Sequence, residues 1–74
     1  METVAYGSEG ETVAILQQAL NDCPYDDVWA GDVDGIFGDD TYNALIAFQG
    51  NEGIDADGIA GPMTWACLGY DSGC

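Results

Sequence analysis

The stretch "DVDGIFGDDT" at residues 32–41 returns in altered form as "DADGIAGPMT" at residues 55–64. At an offset of 23 residues, residues 32–45 and 55–68 are identical at seven of fourteen positions. Each copy contains an Asp-Gly pair that favours a turn, then an isoleucine, then a glycine that lets the backbone change direction. A helix is expected to begin three residues before the shared threonine. The repeat therefore predicts one Asp-Gly turn-into-helix unit, used twice around a shared core.

Apolar residues at helical spacing precede the first copy. Ser8 and Glu11 have the S-x-x-E spacing of a capping box, and Pro24 cannot continue a helix. We therefore predict a first helix from about residue 9 to residue 22. Its predicted buried face comprises Val13, Leu16, Ala19, Leu20 and Cys23. Its predicted solvent face comprises Gln17, Gln18, Asn21 and Asp22.

Each copy of the repeat leads into a further predicted helix. The second follows Gly38, has two aspartates in its first turn, where the helix dipole favours negative charge, and ends at "GNEG", residues 50–53. The third is short and opens at Gly61 and Pro62, because proline fits the first helical position. The sequence thus predicts an all-α fold, a compact three-helix domain that includes residues 1–74 as a single unit.

The repeat also supplies candidate core residues. Phe37, Leu45 and Phe48 are predicted to be buried. No stretch alternates for long enough to predict a strand, although Ile36 and Ile59, one from each copy, are candidates for a minimal two-stranded contact.

The charge balance excludes several classes of function. The chain has 14 acidic residues and no Lys, Arg or His, which gives a formal charge of -14. Nucleic acid is excluded as a partner because its phosphates are held through Lys and Arg. No apolar run approaches the roughly 20 residues that a membrane span needs. The charge itself fits a solvated acidic surface, of natural salt-adapted origin or produced by deliberate removal of basic residues.

Three cysteines, Cys23, Cys67 and Cys74, suggest one disulfide and one thiol, and the spacing leaves all three pairings open. A Cys23–Cys67 bridge would close a loop of roughly 44 residues and contribute on the order of 4 kcal/mol. A reduced, apolar role for Cys23 is an equal alternative. Because no secretory signal precedes the domain, we expect a mature form, an excised piece or a protein exported without such a signal.

A calcium site is one hypothesis for the repeat, because D-x-D-G resembles part of an EF-hand loop. In that register the first and twelfth positions are Ala30 and Thr41 in one copy, and Gly53 and Thr64 in the other. Both copies lack the first carboxylate and the bidentate last one. We therefore predict no metal site and no cofactor.

Acid-base catalysis is a second hypothesis, in which Asp39 and Asp40, or Asp32 and Asp34, would form the pair of carboxylates. Turn and helix-start roles already account for these aspartates, and no nucleophile with an adjacent base accompanies them. A chain this small also lacks the walls of a deep pocket. We therefore predict that the domain is not an enzyme.

Three runs carry a resemblance to a known family: "GSEGETVAILQQAL" at 7–20, "DGIFGDDTYNALIAFQ" at 34–49 and "GIDADGIAGPMTWACL" at 53–68. They resemble the short three-helix peptidoglycan-binding domain that accompanies cell-wall hydrolases, spore-cortex enzymes, zinc carboxypeptidases and phage endolysins. The resemblance covers residues 7–68 and leaves 69–74 as a short tail. It implies a compact three-helix, non-catalytic module that targets an associated hydrolase to bacterial peptidoglycan, outside the cell or in the cell wall.

Peptidoglycan presents sugars, peptide-stem carboxylates and, in uncrosslinked stems, an amine. Without Lys or Arg, a carboxylate can be held only by backbone N–H groups, and only the third predicted helix begins without an acid. We therefore predict that an anionic stem end docks at Gly61, Met63 and Thr64. The predicted surroundings are Trp65 or Trp29 as an apolar wall and Asp55 or Asp57 near the stem amine.

The aromatic residues have different expected roles. The place of Trp65 in the repeat favours the core over a ligand wall. Tyr25, Trp29 and Tyr42 are the better candidates for a sugar or peptide face, because their positions do not demand an aromatic residue.

Two alternatives to wall binding remain open. In the first, the chain is an acidic interaction domain that docks a basic protein surface. In the second, it is a charge-altered family member that retains the fold but binds peptidoglycan only weakly. Binding to a basic protein should weaken steeply as salt rises. Binding to an anionic wall should instead strengthen when salt screens the repulsion. We expect a monomer in either case.

Overall fold

The computed structural model describes residues 1–23 and 25–70, which contain three helices. Helix α1 spans Glu11–Asp22, α2 spans Asp39–Glu52 and α3 spans Pro62–Cys67. The all-α prediction is confirmed, and each copy of the repeat leads into a helix. Both the helix-ending role predicted for Pro24 and the pairing of Cys74 lie outside the described residues.

The start of α1 differs from the prediction. Gly10 is the residue before the helix, and no side chain caps the first turn. The Ser8 hydroxyl instead accepts a hydrogen bond from the N–H of Ala5 at 3.1 Å. The Ser8 carbonyl accepts another from the N–H of Phe37 at 2.9 Å. The capping-box prediction is therefore wrong, because Ser8 orders the segment before the helix rather than the helix itself.

The ends of α2 and the start of α3 follow the sequence signals. Gly53 ends α2 in the left-handed conformation at φ 73°, a region that glycine enters without a steric penalty. Pro62 occupies the first turn of α3, where its missing N–H costs no hydrogen bond. Among the described residues, no helix has the length and apolarity that crossing a membrane requires.

The N-terminal segment joins the two turns of the repeat. Antiparallel bridges pair Val4 with Ala60 and Glu9 with Ile36. The predicted contact between Ile36 and Ile59 is therefore wrong. Each turn pairs with the N-terminal segment instead, and the two isoleucine side chains are 55% and 45% exposed.

The core lies between the helices and beneath both turns. Trp65 is fully buried, and its indole N–H donates to the Glu2 carbonyl at 3.1 Å, which ties α3 to the start of the chain. The prediction that Gln17 faces solvent is wrong, since this side chain is 1% exposed. The largest apolar side chains buried with Trp65 are Leu16, Leu20, Phe37, Leu45 and Phe48.

Candidate functional site

A buried glutamine organises the first turn of the repeat. Nε2 of Gln17, on α1, lies 3.0 Å from Asp34 Oδ1, 3.0 Å from the Ile36 carbonyl and 2.9 Å from Thr41 Oγ1. Its Oε1 accepts a hydrogen bond from the N–H of Gly35 at 2.9 Å. One amide thus joins a turn, a helix start and the helix that carries it.

Gln49, on α2, repeats this arrangement in the second turn. Its Nε2 lies 3.2 Å from Asp57 Oδ1, 3.0 Å from the Ile59 carbonyl and 3.1 Å from Thr64 Oγ1. Its Oε1 accepts from the N–H of Gly58 at 3.0 Å. The repeat unit is therefore larger than the sequence indicated, because it includes the preceding helix.

The second aspartate of each copy is part of its turn. Oδ1 of Asp34 also accepts from the N–H of Ile36, and Oδ1 of Asp57 from the N–H of Ile59, both at 3.0 Å. The hydrogen bond from Gln17, followed by that from Ile36, lowers the pKa of the Asp34 carboxyl below its ordinary value. Within residues 1–23 and 25–70, no three His, Cys, Asp or Glu side chains cluster in a way that suits a metal ion.

Each turn and the helix start beside it border a cleft. The cleft at the second copy, here called the second-turn cleft, has a volume of about 420 Å³. It contains five of the residues predicted from the sequence to bind a ligand: Asp55, Asp57, Gly61, Met63 and Thr64. Ile54, Ile59 and Pro62 add an apolar lining. The predicted residues of this group thus lie around one cavity.

The equivalent cleft at the first copy has a volume of about 340 Å³ and a different chemistry. Asp39 and Asp40 line it where Pro62 and Met63 line the second-turn cleft, and Asp32 and Asp34 are also present. The two copies therefore share a backbone framework, but the first cleft has four carboxylates beside Ala30 and Ile36, whereas the second has two and a larger apolar lining.

The predicted aromatic residues do not gather at the second-turn cleft. Trp65 is buried, so it is a core residue and offers no wall to a ligand. Trp29 is 68% exposed and lies outside the lining of the second-turn cleft. Tyr42 is partly exposed and packs on the turn at Gly58, where an added Cβ would overlap Tyr42 Cε1.

Tyr25 lines a separate cleft of about 480 Å³ among the ends of α1, α2 and α3. Its hydroxyl donates to Glu52 Oε2 at 2.6 Å, and this hydrogen bond raises the Tyr25 pKa above its ordinary value. Cys23 and Cys67 line the same cleft, and no disulfide joins these two residues.

Sequence reasoning missed Tyr6, which lies beside Tyr42. The two ring centroids are 6.2 Å apart, and the rings meet edge to face at 79°. The Tyr6 hydroxyl donates to Asp39 Oδ1 at 2.8 Å, and this hydrogen bond raises the Tyr6 pKa. No local pattern links Tyr6 to Asp39, because 33 residues separate them along the chain.

The described residues thus form a small three-helix domain with two glutamine-centred turns and a partly apolar cleft. The family model described as "Putative peptidoglycan binding domain" matches residues 9–68. The chain therefore belongs to this family of peptidoglycan-binding domains.

Relatives in the family include much longer proteins. The chain is 47% identical over 59 residues to the N-acetylmuramoyl-L-alanine amidase CwlM of Mycobacterium tuberculosis, covering 80% of this chain and 14% of that protein. It is 41% identical over 63 residues to a spore cortex-lytic enzyme of Bacillus cereus, covering 85% of this chain and 23% of that one. The chain thus spans under a quarter of the length of these two relatives.

Solved structures share the fold. The SleB N-terminal domain superposes with a TM-score of 0.80 at 40% identity, over 90% of this chain and 88% of that one. A peptidoglycan-binding protein from Clostridioides difficile, in complex with glutamine hydroxamate, gives a TM-score of 0.82 at 38% identity, over 92% and 40% of the two chains.

Proposed function

We propose that this chain is a non-catalytic module that binds bacterial peptidoglycan, and that the second-turn cleft holds the peptide stem. Membership of the peptidoglycan-binding family is the observation that carries the first part. The names of the relatives further support a role in bringing a wall-degrading enzyme to its substrate, in the cell wall or outside the cell.

The chemistry of the second-turn cleft supports the second part. Ile54 and Met63 offer apolar contact to side chains of the stem. The carboxylates of Asp55 and Asp57 suit a stem amine, and the chain has no Lys or Arg that would compete for them. Among the described residues, the hydrogen bonds of Asp57 involve only Oδ1, which leaves Oδ2 to contact a ligand.

The start of α3 supports a carboxylate contact at the same cleft. The first turn of a helix leaves backbone N–H groups without intrahelical partners. α3 has no acid in its first turn, whereas α1 begins with Glu11 and α2 with Asp39 and Asp40. One end of the cleft therefore repels an anionic stem end least, and it is formed by Gly61, Met63 and Thr64.

Sedimentation with purified insoluble peptidoglycan tests the wall-binding function. The bound fraction should rise from low to moderate salt, because salt screens the repulsion between a chain of charge -14 and an anionic wall. Binding that falls steeply as salt rises would favour the alternative in which the chain docks a basic protein surface. Only the net charge supports that alternative. A folded protein that sediments at no salt concentration would refute the proposal.

A reciprocal exchange between the two copies tests the cleft. Met63→Asp introduces the carboxylate that the first copy has at Asp40, and at an exposed position where folding should be preserved. Two like charges about 4 Å apart in water repel by about 1 kcal/mol, so binding should weaken about fivefold. Asp40→Met is the matched control and should not weaken binding. Equal effects of the two exchanges would exclude the second-turn cleft.

A further inference from the structure

Tyr6 and Tyr42 are aromatic side chains that face solvent yet have fixed positions. Their exposed fractions are 62% and 38%. An exposed tyrosine gains little from burial, and ordering it costs side-chain entropy. A pair of rings held in place at the surface therefore needs a reason other than the stability of the core.

Separate contacts fix each ring. The Tyr6 hydroxyl donates to Asp39 Oδ1, and the neighbouring Gly7 N–H donates to the Phe37 carbonyl at 3.0 Å. Tyr42 packs against Gly58, and its ring leaves no room for a Cβ at that position. The edge-to-face contact then couples the two rings. Preorganised aromatic surfaces of this kind bind ligands with little further loss of entropy.

We propose that Tyr6 and Tyr42 form a sugar platform in which the face of one ring stacks on a neutral N-acetylated pyranose of the glycan strand and the other ring holds it in place from the edge. A pyranose presents C–H groups on one face to an aromatic ring, and its hydroxyl groups can donate to the Asp39 carboxylate at the edge of Tyr6. An uncharged sugar also escapes the repulsion that Asp39, Asp40 and the charge of -14 impose on anionic polymers.

The position of the sugar platform is consistent with binding a sugar of the glycan strand. Gly58, on which Tyr42 packs, lies between Asp57 and Ile59, and both of these residues line the second-turn cleft. One turn thus separates the sugar platform from the cleft proposed for the peptide stem. Because each stem in peptidoglycan hangs from a sugar of the strand, this inference rests on the proposed function and assigns the glycan to a surface next to it.

Titration with an uncharged tetramer of β-1,4-linked N-acetylglucosamine tests the platform without any peptide. In amide NMR spectra, the largest shifts should fall on Tyr6, Tyr42 and Gly58. Tyr6→Ala should weaken tetramer binding roughly five- to tenfold, whereas Tyr6→Phe, which keeps the ring, should weaken it less. Trp29→Ala tests the competing sequence-based candidate for a sugar face, because Trp29 is the more exposed aromatic and makes no ring contact with described residues.

Several outcomes would overturn the inference: no binding of the tetramer, shifts centred on the second-turn cleft, or a larger loss in Trp29→Ala than in Tyr6→Ala. Native amide spectra of each variant exclude unfolding as the cause. Sedimentation of the wild-type chain with peptidoglycan distinguishes the two proposals. If the chain sediments with peptidoglycan but the tetramer does not bind at the two tyrosines, only the sugar platform is refuted. If the tetramer binds at the tyrosines but the chain does not sediment with peptidoglycan, only the wall-binding function is refuted.

Discussion

Gln17 and Gln49 each place a primary amide in the interior, where both are 1% exposed. Each amide satisfies backbone groups of one Asp-Gly turn through hydrogen bonds that are buried or partly buried. No buried side-chain nitrogen or oxygen among the described residues lacks a partner. The turns are thus held by fully satisfied polar networks, which are stable because every member has a partner.

Gln17→Met keeps the approximate volume of the side chain and removes its polar atoms. The Gly35 N–H and the Ile36 carbonyl then lose a partner, so the free energy of unfolding should fall by about 2 to 4 kcal/mol. Urea denaturation measures the change. Gln18→Met, on the exposed face of the same helix, should stay within about 0.5 kcal/mol of the wild type. Equal effects of the two variants would show that the first turn does not depend on the amide.

Asp34 gives the domain a pH dependence of known sign. Because the folded pKa lies below the unfolded value, this group stabilises the fold above the unfolded pKa of about 3.9, and the contribution is lost as pH falls through the folded pKa. The stability difference between wild type and Asp34→Asn should therefore shrink on acidification below about pH 4. Thermal melts across this range measure it. A difference that grows on acidification would contradict the assignment.

Hydropathy provides no signal for these glutamines, because Gln17 lies beside the polar Gln18 on α1. A signal does exist in the repeat itself. Leu16-Gln17 and Phe48-Gln49 are apolar-Gln pairs on the helices that precede the two turns. The two pairs are 32 residues apart whereas the turns repeat at 23, so a comparison that extends upstream with a gap of nine residues would have identified them.

Helix boundaries were more predictable where a single residue decides the backbone conformation. Gly53 and Pro62 mark the end of α2 and the start of α3 as expected. Ser8 misled the prediction at α1, since its hydroxyl has an alternative partner in the N-terminal segment. That competition depends on the pairing of residues 4–9 with the turns, which local spacing does not encode.

Gly53 and Gly58 have the same φ of 73°. Substituting each one therefore distinguishes the stability cost of the backbone conformation from that of packing. Gly53 has open space around it, whereas a Cβ at Gly58 would overlap the Tyr42 ring. Gly53→Ala should cost about 1 to 2 kcal/mol, the penalty of the left-handed region, and Gly58→Ala should cost more in chemical denaturation. If the two variants are equally stable, Tyr42 does not press on the turn, and its place in the sugar platform loses support.

Across the whole molecule, uncharged side chains donate hydrogen bonds to carboxylates, and the chain has no Lys, Arg or His. Tyr6, Gln18 and Tyr25 donate to Asp39, Asp22 and Glu52, and the two buried glutamines contact the turn aspartates. Such hydrogen bonds orient the acidic groups without neutralising them. The charge of -14 thus remains as self-repulsion across the molecule.

Salt should stabilise the fold over a narrow concentration range. The molecule measures 26 × 24 × 20 Å. The electrostatic screening length is about 30 Å at 0.01 M salt, which exceeds these dimensions, and about 10 Å at 0.1 M salt, which is shorter than all of them. The melting temperature should rise by about 4 to 8 °C per kcal/mol of repulsion removed, mostly between these concentrations. Near pH 4, where many carboxylates are protonated, the rise should diminish. An unchanged melting temperature would contradict the repulsion argument.

The bridge between Val4 and Ala60 and the bond from Trp65 to Glu2 fasten the beginning of the described chain to its last helix. When the two ends of such a chain are pulled apart, force reaches these contacts before it reaches α1 or α2. The mechanical strength of the domain therefore depends on a few hydrogen bonds near its ends and on the buried indole ring, rather than on the packing of its longest helices.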